Sequence, residues 1–191
     1  MITMSLTQYH QTQEQLDQEK ILILDAQKDK AKFAPLYKKY FEQIFRFILK
    51  RVEGEDTAAD ITSQVFLKAL TNISKYKDMG LPFSSWLFRI ARNELYDRYK
   101  KKEVELVVSL ETRGIVDMIS EMANEQKPDH SHLTAALSLL EDEDMELIEL
   151  RFFEDRAFKE IGEILDITEN NAKVRTYRVL DKLKKLMSHG N

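Results

Sequence analysis

Between Phe158 and Leu186 the sequence reads FKEIGEILDITENNAKVRTYRVLDKLKKL, and its second half sets amides, cations and an aromatic ring at helical spacing. Phe158, Ile161, Ile164 and Leu165 mark a helix of about two turns. Asp166 and Ile167 fill a short break, and Thr168 is placed to cap a second helix. On that second helix Ala172, Thr176, Val179 and Leu183 recur at i, i+4, i+7 and i+11, an inward face with a small residue at the closest approach. The outward face carries Asn170, Asn171, Lys173, Val174, Tyr177 and Arg178. Such a face suits the major groove of DNA, where amides pair with adenine edges, cations with guanine or phosphate, and apolar groups with thymine methyls. The arrangement is that of a helix-turn-helix. Asp166 stands where this turn often carries glycine, and Asp tolerates a left-handed backbone better than most residues. Arg175 leans toward the first helix, where an ion pair with Glu160 competes with a DNA contact.

No catalytic constellation accompanies this face. His10, His130, His132 and His189 are scattered, and there is no nucleophile elbow, phosphate-cradling glycine loop or metal-ligand pair at helical spacing. The chain has no cysteine, which excludes disulfide scaffolds, thiolate zinc sites and cysteine nucleophiles and suits a reducing compartment, by default the cytoplasm. No export signal or span of membrane-crossing length is encoded. A binding protein is expected, not an enzyme: no cofactor, no metal, no small-molecule substrate and no direct membrane insertion.

The elements that must position the face are helical. With 191 residues, 5 Gly and 3 Pro, the chain has few turn signals, and long stretches keep a 3.6-residue apolar period. The expected fold is all-α, with two small helical domains joined by a flexible acidic linker. Residues 1–19 read as a flexible extension and 20–102 as the N-terminal domain. Within that domain a short helix precedes three long ones: KFAPLYKKYFEQIFRFILKRV, EGEDTAADITSQVFLKALTNI and FSSWLFRIARNELYDRYKKK. Pro35 marks or kinks the start of the first of these, Gly54 breaks the chain before the second, and Ser84 or Ser85 caps the third. SKYKDMGLP is a loop. Residues 103–132 read as the linker and 133–188 as a C-terminal domain of four helices.

Charge is distributed unevenly along this layout. The chain carries a net −4, yet residues 31–102 sum to +7, residues 103–145 to −9 and residues 168–191 to +4. Two basic regions therefore flank an acidic connector.

Taken in order, ADITSQVFLKAL, PFSSWLFRIARNELYDRYKKK, ELRFFEDRAFKEIGEIL and NNAKVRTYRVLDKL resemble bacterial RNA polymerase sigma factors of the extracytoplasmic-function (ECF) group, across roughly residues 20 to 187. The resemblance implies core RNA polymerase and promoter DNA as partners, with the N-terminal domain on the −10 element and the C-terminal domain on the −35 element. It leaves open whether an anti-sigma factor exists. It places polymerase binding on Asp60, Gln64, Phe66 and Leu67, in a helix with Ala59 and Ser63 where the family has a more acidic string. It places −10 reading on Tyr76, Lys77 and Asp78 of the loop and on Arg89, Arg92, Asn93 and Arg98 of the next helix. A loop pocket can hold an unstacked base, an aromatic can stack on it and arginines can hold the backbone. The spacing of Trp86 with Ile90 favours the core over a wedge in DNA. The alternative is a helix-turn-helix regulator that does not replace the polymerase specificity subunit. Receiver-type regulators of that kind need alternating strands and helices, and no such strands are encoded.

The linker acids either lie across both basic faces of the free protein and compete with DNA, or only keep the connector soluble. Neutralising Glu103, Glu105, Glu111, Asp117, Glu121 and Glu125 separates these readings. Masking requires tighter non-specific DNA binding by the free variant, and solubility alone predicts unchanged affinity at low salt.

Overall fold

The computed structural model describes residues 11–102 and 131–188, all of them in helices, turns and loops, as the apolar period requires. Most of the expected linker, residues 103–130, lies outside the described residues.

Helix α1, Gln13–Lys28, opens on a reciprocal cap: Thr12 Oγ1 accepts from the Gln15 amide at 3.3 Å and the Gln15 side chain accepts from the Thr12 amide at 2.9 Å. It therefore begins well before Lys20, inside the stretch expected to be a flexible extension. Asp29 accepts from the Ala31 amide and opens a 3₁₀ turn over Lys30–Phe33. Helix α2, Ala34–Leu49, follows with Pro35 in its first turn, where a missing amide hydrogen costs little. Its buried stripe is Leu36, Tyr40, Ile44, Phe47 and Ile48. Gly54, at φ +84°, turns the chain into α3, Glu55–Asn72, whose positive end carries Glu55 and Asp56. A 3₁₀ turn, Ile73–Lys75, leads into the loop before α4, Phe83–Lys102.

The start of α4 is held from another helix. Glu19, in α1, is 2% exposed; its Oε2 accepts from the Phe83 amide at 2.6 Å, and its Oε1 accepts from Lys39 Nζ at 2.6 Å and from the Tyr40 hydroxyl. Neither Ser84 nor Ser85 is the cap: both are buried in the first turn. A carboxylate at the amide end of a helix answers both its unpaired donor and its partial positive charge, and Glu19 supplies it through tertiary structure, with no local sequence signal.

The C-terminal helices are α5, Ser131–Leu137, α6, Asp142–Ile148, which widens into a π turn over Glu149–Phe153, α7, Phe158–Leu165, and α8, Glu169–Ser188. Asp166 ends α7 at φ 58°, ψ 43°, the left-handed conformation its residue type allows. Thr168 Oγ1 then accepts from the Asn171 amide at 3.2 Å, capping α8 as expected. Ala172, Thr176, Val179 and Leu183 are all buried. Gly162 lets the turn fold back on α7: a Cβ there would lie 2.8 Å from the Ile167 carbonyl oxygen and 3.2 Å from the Glu169 nitrogen. The C-terminal helices rest on the N-terminal ones, chiefly α7 against α4.

Two stability effects follow. Glu19→Ala strands the Phe83 amide and the Tyr40 hydroxyl in the interior and should cost about 3 kcal/mol in urea unfolding, with Glu19→Gln, which keeps an acceptor, costing less. Gly162→Ala forces backbone apart and should cost about 1–3 kcal/mol, read by the same measurement.

Candidate nucleic-acid interface

The turn between α7 and α8 fixes where α8 points, and its outward row is the expected one. Asn170, Asn171, Lys173, Val174, Tyr177 and Arg178 are all exposed, Val174 at 39% and Tyr177 at 53%. Leaving apolar and aromatic area uncovered among amides and cations is costly for packing and useful for contacting bases. The Tyr177 ring leans on Phe158 of α7, centroids 6.2 Å apart, which restricts its swing.

Not every cation of the basic helix belongs to this face. Arg175 Nη2 pairs with Glu143 Oε2 at 2.7 Å, not with Glu160, which Arg156 and the Ala157 amide engage. Lys182 Nζ bonds Asp144 Oδ2 at 2.9 Å, and that bond holds its ammonium above the ordinary lysine range. These two cations tie α8 to the acidic first turn of α6, where carboxylates also favour the helix dipole.

The second surface is a cleft of about 670 Å³ between the Tyr76–Leu81 loop, the end of α3 and one side of α4. Of the residues expected to read the −10 element, Tyr76, Lys77, Arg89 and Asn93 line it. Tyr76 is half-buried, its ring against Phe83 at 5.2 Å and Trp86 at 5.0 Å, and burial pushes its hydroxyl well above the ordinary phenol range. Trp86 is neither fully core nor a free wedge. It is half-buried and forms the cleft wall beside Tyr76. Gln27 of α1 donates to the carbonyls of Ile73 and Tyr76 at 3.0 and 2.8 Å and so anchors the loop.

Asp78 holds the loop in shape, since its carboxylate accepts from the Gly80 amide at 2.8 Å and faces Lys20 at 3.2 Å. The Gly80 hydrogen bond, with Lys20, holds its pKa below the usual carboxylate value. Gly80 sits at φ +67°, a conformation glycine adopts without strain.

The arginines are engaged by acids that no spacing in the sequence links to them. Arg89 reaches Glu163 at 3.1 Å and Asp166 at 2.9 Å, and Arg92 Nε bonds Glu146 Oε1 at 2.8 Å. Burial disfavours the charge on Arg92, yet Glu146 and then Tyr96 hold the guanidinium above its ordinary value. Arg98 is half-exposed near the far end of α4, outside the cleft.

On α3, Asp60, Gln64 and Leu67 lie at i, i+4 and i+7 on an exposed face, Leu67 at 64%. Phe66 does not share it. At 4% exposure it packs against Tyr37 and Phe41, centroids 4.8 and 6.2 Å away, and belongs to the core. No group of three or more His, Cys, Asp or Glu side chains able to hold a metal occurs among the described residues.

Comparison with known proteins finds two family regions along the chain. The model of Sigma-70 region 2 matches residues 36–104, and that of Sigma-70 region 4 matches residues 136–185. The ECF RNA polymerase sigma factor BldN of Streptomyces coelicolor is 31% identical over 163 residues, covering 81% of this chain and 60% of BldN. The ECF sigma factors SigM and SigW of Bacillus subtilis are 28% and 29% identical, over 81% and 82% of this chain and 94% and 89% of their own lengths. Among solved structures, CnrH in complex with the cytosolic domain of CnrY superposes with a TM-score of 0.61 at 19% identity, covering 90% of this chain and 97% of CnrH. The sigma factor RpoE in complex with the anti-sigma factor NepR from Bartonella quintana gives 0.54 at 21% identity, over 82% and 96% of the two chains. At these identities the two structures speak for the fold. With both regions in sequence order and ECF sigma factors as relatives along most of its length, the chain belongs to the sigma-70 family, in its ECF group.

Proposed function

We propose that the chain binds core RNA polymerase and directs it to promoters, acting by binding alone, with no catalytic step of its own. The observation that carries this reading is the pairing of two nucleic-acid surfaces on one chain. One is a helix face of amides, cations and apolar groups held outward by a helix-turn-helix; the other is a cleft walled by aromatics with Arg89 and Lys77 in its lining. The first suits duplex DNA read in the major groove, the −35 element. The second suits a base that has left its stack, the −10 element. Asp60, Gln64 and Leu67 form the surface offered to the polymerase, acidic and apolar together. The N-terminal domain would span residues 20–102, extended back to α1, and the C-terminal domain residues 133–188. Among the described residues no helix is long and apolar enough to cross a membrane, and the proposed place of action is the cytoplasm, with the polymerase. A regulator that leaves the polymerase specificity subunit in place is not favoured, since it would have no use for a region 2 surface.

Co-elution with core polymerase tests the reading directly: the chain should bind it, and Leu67→Ala with Asp60→Ala should weaken binding. A chain that binds promoter DNA but never the polymerase is a regulator instead. On the α8 face, Lys173→Ala or Arg178→Ala should weaken promoter binding; loss of one phosphate contact lowers the salt slope by about one, and loss of a base contact relaxes sequence preference. If both variants bind and transcribe like the parent, this face is not the reader. Tyr76→Ala should impair duplex opening more than initial binding, since stacking on an extruded base contributes about 1–3 kcal/mol. A pre-melted promoter should restore much of that loss, and failure to do so would make Tyr76 a packing residue only.

A further inference from the structure

Another cavity, of about 330 Å³, shares no lining residue with the Tyr76 cleft. It opens where the approach to α1, one side of α2, the first turn of α4 and the loop before α7 come together. Lys39, Gln43 and Arg46 stand at i, i+4 and i+7 on that side of α2 and form its wall. Ser84 and Arg156, 2% and 1% exposed, form its floor. Gln11 completes the lining beside Tyr40, to whose hydroxyl its side chain donates at 2.7 Å. Three cations therefore face one space, two of them guanidiniums, against a single lining carboxylate among the described residues, Glu42.

Each cation has an acid within reach, but two of those acids stand behind the lining. Lys39 Nζ lies 2.6 Å from Glu19 Oε1, an oxygen that the Tyr40 hydroxyl also uses. Arg156 donates to Ser84 Oγ at 2.9 Å and stands 3.9 Å from Glu160, in surroundings where water screens its charge little. Arg46 pairs with Glu42 in the open, their side chains 66% and 74% exposed, and such pairs contribute only about 0–1 kcal/mol and exchange readily. Two amide atoms of the lining, Gln11 Oε1 and Gln43 Nε2, are buried with no hydrogen-bond partner among the described residues. An unanswered buried polar atom costs about 1–3 kcal/mol, so a polar guest completes this lining.

We propose that this cavity binds a small phosphate monoester bearing hydroxyl groups, about the size of a pentose phosphate. The excess of lining cations favours more than one negative charge, and a monoester is close to a dianion at about pH 7. Guanidinium forks and the Gln43 amide match its oxygens, while Gln11 Oε1, an acceptor, suits a hydroxyl of the carbon skeleton. The volume lies at the small end for ligand cavities, which fits a compact guest. A nucleic-acid backbone passing over the mouth could touch Arg46 but not the nearly covered Ser84 and Arg156. Once bound, the guest meets α2, α4 and the loop before α7 together, and so stabilises the folded chain by mass action. The site draws on neither nucleic-acid surface and does not depend on the promoter reading.

Titration calorimetry of the full chain with ribose 5-phosphate, at about 0.15 M salt to suppress loose surface binding, tests this. One molecule should bind per chain and raise the unfolding midpoint, and unphosphorylated ribose should do neither. Gln43→Ala with Arg46→Ala alters only the α2 wall, with a residue that favours helix, and leaves the buried floor intact. Losing a charge-assisted hydrogen bond and an amide donor should weaken ribose 5-phosphate about tenfold or more and abolish the rise in midpoint. The midpoint of the ligand-free variant shows whether the fold survives, and Ser84→Ala, which removes a floor hydroxyl instead, gives a second variant expected to bind more weakly. No binding by the parent, or equal binding by the parent and both variants, overturns the site. Orthophosphate or citrate held as tightly as ribose 5-phosphate overturns the monoester and shows attraction by charge alone.

Discussion

The carboxylate of Glu19 at the first amide of α4 sets the phase of the helix that walls the cleft and meets the C-terminal helices. Once Phe83 is fixed there, the 3.6-residue repeat leaves no choice about the rest. Ser85, Trp86, Arg89, Ile90, Asn93 and Asp97 turn toward the cleft, and Ser84, Phe88 and Arg92 turn toward the C-terminal helices. Arg89 lies on the border between the two sides, which is why it can serve either. The same Glu19 also gathers Lys39 and Tyr40 of α2, so one buried acid ties three helices together. A buried carboxylate is tolerable only when its lone pairs are this fully used.

The basic end of an acidic protein is less paradoxical once its cations are sorted. Arg175 and Lys182 are structural and answer Glu143 and Asp144, so the strongly acidic EDED stretch before Met145 is partly a clamp for α8 and not merely a solvated run. Lys173 and Arg178 remain exposed on the outward face of α8. The net charge conceals this because inward and outward cations count alike, whereas a polyanion meets only the outward ones.

The all-α class, the helix-turn-helix and its outward row were legible in the sequence because each rests on local rules: a 3.6-residue period, a Thr cap, a left-handed Asp. The opening of α1 was legible in principle, since Thr12 followed by Gln15 is a capping pattern, but the polar composition of the first residues obscured it. Gly162 also carried a signal, a glycine inside a helical period, whose reason is the approach of the Ile167 carbonyl. Phe66 was harder. Its spacing fits both the core stripe with Ile61 and Val65 and the outer face beside Leu67, and the neighbouring rings of Tyr37 and Phe41 decide for the core. Nothing local could have joined Glu19 to Phe83, Arg51 to Glu149 or Arg92 to Glu146, because these pairs are made by topology. Local periodicity predicts faces, and only the assembled fold says which faces meet.

The choice of arginine at the junction has a chemical logic. A guanidinium presents a planar fork of donors that fits two oxygens at once, whether they belong to carboxylates or to a phosphate. Arg89 uses that fork across Glu163 and Asp166, so the acids of the C-terminal helices offer it oxygens much as a DNA backbone would. Lysine at these positions would hold either partner less selectively, as a point charge with no preferred geometry. An arginine that binds DNA well is therefore also one that neighbouring carboxylates can occupy well. In this fold it is the chain's own acids, Glu163 and Asp166, that hold Arg89.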